Sequence, residues 1–397
     1  MNKTERIHST AAVQNTAERH VGTNSVVLDA VTGFVRRNIV LTIAAVLALV
    51  TSVIVPPDEA YIGYFDFRTL TCLFCTLAVI CALGEIRFFY VCAEKIISLA
   101  KNLRLAAVAL VYITFIGSML IANDMALLTF LPLGYIVLHC TGNERYMAYI
   151  FILQNIAANL GGMLTPFGNP QNLYLYSTFG IPTGEFMLTM LPPFILAVLL
   201  ITLCCLALPE NPIHYAGEKT EMPVGRMAAY LVLFAVSILV VFRGIPYWLG
   251  LIVIPAALMV LEPKALKNVD YALLLTFVCF FIFSGNMARI PAVSNLMQGL
   301  LGQSDHVTLF TSAMSCQAIS NVPSAILLSK FTENWKPLLY GVNIGGCGTL
   351  ISSLASLITF RTFNKHNPGR AGSYIKTFTV MNFAFLAVLL ALCMLLV

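Results

Sequence analysis

The chain has 397 residues, 59% of them hydrophobic and only 10% charged; soluble domains carry roughly 25% charged residues, which excludes an ordinary soluble enzyme. The net charge of +5 would suit a nucleic-acid partner, but the basic residues follow membrane sidedness, and no nucleic acid is expected. The eleven cysteines lie mostly inside apolar runs, such as Cys72, Cys75, Cys204, Cys205 and Cys279, so no disulfide framework is expected and Cys72-x-x-Cys75 reads as core.

Residues 1–35 form a polar N-terminal segment without the short apolar core of a cleaved leader, and 24–35 can form a short interfacial helix. Plain spans are predicted at 38–55, 68–84, 186–208, 226–242, 246–261, 271–286 and 374–397, each near the ~20 residues that cross a membrane as a helix. Two further spans, 146–176 and 335–360, are interrupted by Gly, Asn, Thr and Pro. Two apolar stretches fit neither description. Residues 105–138 hold one charge, Asp124; they are too long for one untilted span and too short for two. Residues 306–329 pose the same problem around Ser320-Asn321-Val322-Pro323. Re-entrant helical hairpins over 104–138 and 304–330 resolve both, because irregular backbone at that depth is tolerated where protein or water covers it.

Charge bias supports this layout. With the N-terminus cytoplasmic and both hairpins re-entrant, cytoplasmic segments hold eighteen of the 23 Lys and Arg residues. Only Arg68, Arg243, Arg289, Lys330 and Lys336 fall outside, as the positive-inside rule requires. The expected fold is an all-α polytopic membrane protein with about nine crossings plus two hairpins and an external C-terminus.

An internal repeat leads to the same architecture. Asn159-Leu-Gly161-Gly162-Met-Leu-Thr165 aligns with Asn343-Ile-Gly345-Gly346-Cys-Gly-Thr349, each after a hairpin with Asn at its tip (Asn123 or Asn321). This gives two inverted-topology repeats, 36–208 and 246–397, joined by a linker and connecting span over 209–245. Interrupted helices at matching places in two halves point to a transporter binding site.

Four polar interruptions should meet in mid-membrane: the tips Ala122-Asn123-Asp124 and Ser320-Asn321-Val322-Pro323, and the broken helices near 161–172 and 345–353. The glycine pairs free backbone carbonyls for a hard cation, and half-helix N-termini suit an anion's oxygens. Either pair alone reads as close helix packing; duplicated, with Asn before and Thr after, they read as broken helices. Asp124 in an apolar run should hold a cation or proton, and it can also cap its own helix. Candidate substrate ligands are Asn123, Thr165, Asn169, Ser320, Asn321 and Thr349; candidate cation ligands are Asn123, Asp124, Gly161, Gly162, Ser320, Asn321, Gly345 and Gly346. An intramembrane enzyme is disfavoured, since these segments hold no paired His, no Ser–Lys or Ser–His arrangement, and no second carboxylate beside Asp124. Duplicated broken helices suit alternating access better than a channel, and no cofactor is expected beyond a coupling sodium or proton.

On IANDMALLTFLPL (121–133), NIAANLGGMLTPFGNPQNLYLYS (155–177), SNVPSAILLS (320–329) and NIGGCGTLISSLASLITF (343–360), the chain resembles the ion transporter superfamily. Within it, the chain resembles bacterial permeases of the divalent-anion:sodium symporter and citrate-transporter-like group. The resemblance implies an inner-membrane homodimer working by an elevator mechanism, with one sodium site per hairpin–broken-helix pair and a small anion between the tips. The first sodium site would use Asn123 and Gly161 or Gly162; the second would use Ser320, Asn321 and Gly345 or Gly346. Dicarboxylate carriers have Ser-Asn-Thr at each tip, of which only Asn is kept twice here. Asp124 and Asn-Val-Pro look more like the arsenite-efflux and sodium/proton-antiporter branches.

Overall fold

The computed structural model describes residues 32–33, 35, 38–215 and 223–397. Most of the segment over 1–35, and with it most of the interfacial helix expected at 24–35, lies outside the described residues, as do 216–222 of the linker. Among the described residues there are eighteen α-helices and no strand.

The chain opens with α1 (Ile39–Ile54) and α2 (Phe67–Glu85). The Asp66 side chain caps α2 by accepting from the Thr69 amide, one of the N–H groups a helix start leaves without a partner. A short amphipathic helix, α3 (Phe88–Ile97), leads to the first hairpin, α4 (Leu103–Ile121) and α5 (Asn123–Cys140), joined through Ala122 alone. The first broken helix follows as α6 (Met147–Gly161), a 3₁₀ turn at Gly162–Leu164, and α7 (Pro170–Thr178); α8 (Thr183–Leu206) closes this half. The connecting span is α9 (Val224–Val241).

The second half repeats the order. It runs α10 (Tyr247–Leu261), the short α11 (Pro263–Lys267), α12 (Tyr271–Arg289) and amphipathic α13 (Pro291–Leu301). The second hairpin, α14 (Asp305–Ile319) and α15 (Asn321–Leu328), turns through Ser320, the second broken helix is α16 (Trp335–Ile344) and α17 (Leu354–His366), and α18 (Ala371–Leu396) ends the chain. Eight helices among the described residues are long and apolar enough to cross a membrane, and α1 and α10 are shorter apolar helices. The protein is an all-α, multi-pass membrane protein.

The hairpin arms are longer than the expected half-helices. At 19 and 18 residues, α4 and α5 each reach about 27–28 Å. The apolar run meets no helix-stopping residue on either side of Ala122, and Pro132 is absorbed inside α5. Small residues let these helices approach closely. A Cβ on Gly117 would lie 2.4 Å from the Phe130 ring, so α4 meets α5 over a bare glycine. Buried Gln154 of α6 donates to Thr114 Oγ1 of α4 at 3.0 Å and to the Phe130 carbonyl of α5 at 3.4 Å, tying hairpin to broken helix.

The two halves exchange their ends. Hairpin α4–α5 packs on α6, and α14–α15 packs on α16. The far half of each broken helix then crosses to the other repeat: α7 packs on α15 and α16, while α17 packs on α5 and α6. That reciprocity brings all four polar interruptions to one place.

Candidate functional site at the hairpin tips

Both tips are single residues of the same unusual conformation. Ala122 has φ 64° and ψ 155°, and Ser320 has φ 74° and ψ 159°. Non-glycine residues rarely adopt this region, which costs of order 1–3 kcal/mol and persists only where its surroundings impose it. The turn's geometry is repeated by the next residue. Asn123 Oδ1 accepts from the Asp124 amide at 3.0 Å, and Asn321 Oδ1 accepts from the Val322 amide at 2.9 Å. Each Asn thereby caps the helix that begins with it and keeps its amide nitrogen for the centre.

The tips meet at the broken helices. Asn123 Nδ2 donates to Asn159 Oδ1 at 3.3 Å. The Asn321 amide donates to the Ser352 carbonyl at 3.0 Å, and Ser320 Oγ donates to the same carbonyl at 3.3 Å. A Cβ placed on Gly346 would lie 3.4 Å from Asn321 Nδ2 and 3.6 Å from Asn159 Oδ1. Gly346 thus stands between the first tip's partner and the second tip.

The two glycines of each pair have different tasks. A Cβ on Gly161 would lie 2.3 Å from the Phe115 carbonyl and 2.4 Å from Ser118 Oγ of α4. One on Gly345 would lie 2.8 Å from Cys316 Sγ and 3.0 Å from Ala313 Cα of α14. Counted back from the tips, Phe115 and Ser118 match Ala313 and Cys316, so these glycines seat each broken helix on its hairpin. Gly162 and Gly346 lie at the breaks themselves.

The remaining candidates are tied into the breaks. Thr165 Oγ1 donates to the Met119 carbonyl at 3.3 Å, and Thr349 Oγ1 donates to the Gln317 carbonyl at 3.0 Å. Asn169 Nδ2 donates to the Asn159 carbonyl at 3.4 Å. Asn172 Nδ2 gathers the carbonyls of Gly162, Met163 and Thr165 at 3.0–3.3 Å. Asn172 Oδ1 accepts from Asn343 Nδ2 at 2.7 Å. Thr165 and Thr349 thus each tie a break to its hairpin, and neither is among the lining residues of the cavity described next.

A cavity of about 370 Å³ opens beside the tips, lined on one side by Asn123, Asp124, Ser320, Asn321 and Ser353 and closed on the other by apolar residues of α1 and α12. The helices α5, α15, α7 and α17 all begin at residues on its wall: Asn123, Asn321, Pro170 and Leu354. No Lys or Arg is among its lining residues. Asp124 Oδ1 is shielded from solvent and has no hydrogen-bond partner among the described residues. A neighbouring depression of about 160 Å³ shares Leu273, Thr276, Leu354 and Leu357 with it and reaches Asp270 and Arg361. Among the described residues there is no cluster of His, Cys, Asp or Glu that could hold a metal by side chains alone.

Sequence reasoning passed over Gln317 and Asn155 as site residues, treated Asn159 and Asn343 only as parts of a repeat, and took Asn172 only as the end of the first polar interruption. Gln317 is an amide one helical turn before a tip Asn, a signal available in the sequence. Asn155 lies one turn before Asn159, and both its side-chain polar atoms are buried without a partner.

Comparisons with known proteins give the family. The citrate transporter family model matches residues 26–339. An uncharacterized transporter of Methanocaldococcus jannaschii is 32% identical over 320 residues, covering 80% of this chain and 87% of that protein. The inner membrane protein YbiR of Escherichia coli is 30% identical over 284 residues, covering 70% and 74%. The chain belongs to the citrate transporter family and is a membrane transporter.

Proposed function

We propose that this member of the citrate transporter family is a secondary active transporter for a small anion, a carboxylate or inorganic oxyanion, coupled to sodium or protons. The observation that carries the reading is the convergence of four helix N-termini on a cavity with no basic lining residue. Each N-terminus carries a partial positive charge of roughly half a unit from its aligned peptide dipoles, and together these can hold an anion's oxygens without a buried arginine. Asn123, Ser320, Asn321 and Ser353 supply donors of fixed geometry beside them, and Asn169 braces the break behind. The Asp124 carboxylate, half-buried and unpaired on the same wall, supplies a place for the coupling cation. Asn123 stands beside it at the tip, and by resemblance the backbone near Gly161 and Gly162 would serve the same cation.

The hairpins and broken helices would move together, in an elevator-type cycle. Their mutual packing supports a common body, while α2, α9, α10 and α11 share an apolar cluster of their own around Tyr230, Ile254 and Leu258. That second cluster suits a scaffold, which by resemblance would form the homodimer. Read with the charge bias, the N-terminus would lie in the cytoplasm and the C-terminus outside, in the inner membrane that the Escherichia coli relative is named for. The depression leading to Arg361 and Asp270 then opens toward the cytoplasm.

A second reading keeps the fold and makes it a sodium/proton antiporter or an arsenite-type efflux carrier. It is favoured by one observation, the acidic tip residue Asp124 where the other tip has Val322. Flux in proteoliposomes separates the two. Uptake of a labelled anion driven by an inward sodium or proton gradient is the expected result. Proton release on sodium addition without any anion establishes exchange instead.

A further inference from the structure

The two tips share one backbone conformation, but the gap between hairpin and broken helix is filled differently in the two repeats. In the second repeat, Gln317 Nε2 sits 2.9 Å from the Gly345 carbonyl and 3.0 Å from the Cys347 carbonyl, with its own-helix Ala313 carbonyl at 3.1 Å. Three carbonyl oxygens therefore converge on one point, and an –NH₂ group with two protons stands there. The same amide's oxygen accepts from the Thr349 N–H at 2.8 Å. Gly348, at φ 128°, leaves room for it: a Cβ there would lie 2.1 Å from Gln317 Oε1. The loop from Gly345 to Thr349 is shaped around this one side chain.

In the first repeat the matching position is Met119. Its carbonyl makes the matching contact to Thr165, but its thioether cannot donate a proton. The carbonyls of Gly162, Met163 and Thr165 there accept from Asn172 of the broken helix itself and not from the hairpin. The tips differ in the same sense: a carboxylate with an unpartnered oxygen, Asp124, stands at the first, and Val322 occupies that place at the second.

We propose that the Gln317 amide is a built-in replacement for a cation in the second repeat, so that only the first hairpin, through Asp124, responds to a coupling ion. Inward-facing carbonyl oxygens need an electropositive partner, either a cation or an N–H donor. A cation supplies it reversibly, and an amide tethered to α14 supplies it permanently. The second hairpin is then locked to its broken helix throughout the cycle, and one cation accompanies each turnover. This inference rests on the cation-coupled reading above, and its test is chosen to fail separately.

Gln317→Glu puts a carboxylate among the Gly345 and Cys347 carbonyls, leaving the Thr349 N–H contact possible and making an all-oxygen cradle that needs a cation. The melting temperature of the purified full-length protein would be followed in sodium chloride against choline chloride at matched ionic strength. Gln317→Glu should gain a sodium-dependent stabilisation beyond that of the wild type, since a ligand bound only by the folded state raises its stability. Gln317→Met should lose stability and gain no sodium dependence. Identical ion responses for Gln317→Glu and wild type overturn the proposal. Should Gln317→Glu not fold, ion stoichiometry in wild-type proteoliposomes decides: one cation per anion is expected, and two overturns it. A wild type without ion-coupled flux sinks the transport reading alone, because the Gln317→Glu comparison is made on stability.

Discussion

Asn343 of the second broken helix donates its side-chain amide to Asn172 of the first at 2.7 Å, and both residues are buried. One hydrogen bond thus joins the two repeats at their crossing, where each element belongs to the other's packing. Removing one partner leaves a buried polar group unsatisfied, which costs about 1–3 kcal/mol. Asn343→Leu should lower the melting temperature in detergent, and Asn172→Leu should lower it further, because Asn172 also holds three carbonyls. Negligible shifts for both would show that this contact does not hold the halves together, and equal losses would show that the three carbonyls add nothing to the role of Asn172.

Much of this was legible before any coordinates, and the reasons are physical. The duplicated Asn-x-Gly-Gly and the tip Asn announce themselves because the chain can leave helical geometry inside a membrane only where polar or flexible residues permit it. Asp124 stood out because a lone acid in an apolar run is costly. The amphipathic helices α3 and α13 were missed, since short helices on the membrane surface carry no long apolar run. Gln317 was missed for a different reason. Its role depends on carbonyls 28 and 30 residues away in the chain, and no periodicity encodes that meeting. The place of Thr165 and Thr349 in the motif was legible, but the carbonyls their hydroxyls reach, those of Met119 and Gln317, are a tertiary outcome.

Asp124→Asn should uncouple transport from its driving ion. The carboxamide keeps the shape of the side chain and removes the charge that makes a cation welcome beside the tip. Anion flux in proteoliposomes should then follow the anion's own gradient, with the dependence on external sodium or pH lost and the melting temperature little changed. Unaltered dependence on both ions in this variant would remove Asp124 from the mechanism.

The tips invite a test in the stabilising direction. Ala122 and Ser320 hold a backbone conformation that glycine adopts without steric cost. Ala122→Gly should relieve the strain while enlarging the freedom of the unfolded chain, so the net gain is modest, on the order of 1 kcal/mol. The same slackening should loosen the placement of Asn123. A raised melting temperature together with a raised KM is the expected pair of results; a lowered melting temperature would mean that the Ala122 methyl contributes packing outweighing its strain.

Outside the spans, Asp58 meets Arg289 in a bidentate pair, at 2.9 Å and 2.6 Å. Hydrogen bonds from Arg289 hold the Asp58 carboxyl below the usual carboxylate range. A carboxylate with a depressed folded-state pKa stabilises above its unfolded value and loses that contribution as pH falls through the folded one. The tie between this loop and α12 should therefore be intact at neutral pH and weaken only under strong acid. The pair is exposed, so its contribution is small. Asp58→Asn should cause a slight loss of stability at neutral pH that disappears in acid, as read from melting curves across pH; a loss that grows on acidification contradicts the assignment.

Gly161→Ala separates the two readings of the glycine pairs. If Gly161 serves packing, the added methyl, 2.3 Å from the Phe115 carbonyl, forces α6 off α4, and overpacking of this kind costs typically 1–3 kcal/mol. The backbone carbonyl of residue 161 survives the substitution, so any cation contact it makes is kept in kind. Expected, then, are a lower melting temperature and a lower transport rate whose ion dependence keeps its wild-type midpoint. Gly162→Ala sits at the break, where its methyl would fall 2.4 Å from Asn169 Oδ1 and displace the side chain that closes the loop beside Asn159. That variant should shift the ion midpoint as well as the rate. The same midpoint shift in both variants would show that the seating of the broken helix and the shape of its break cannot be told apart, and the division of labour within each glycine pair would fall.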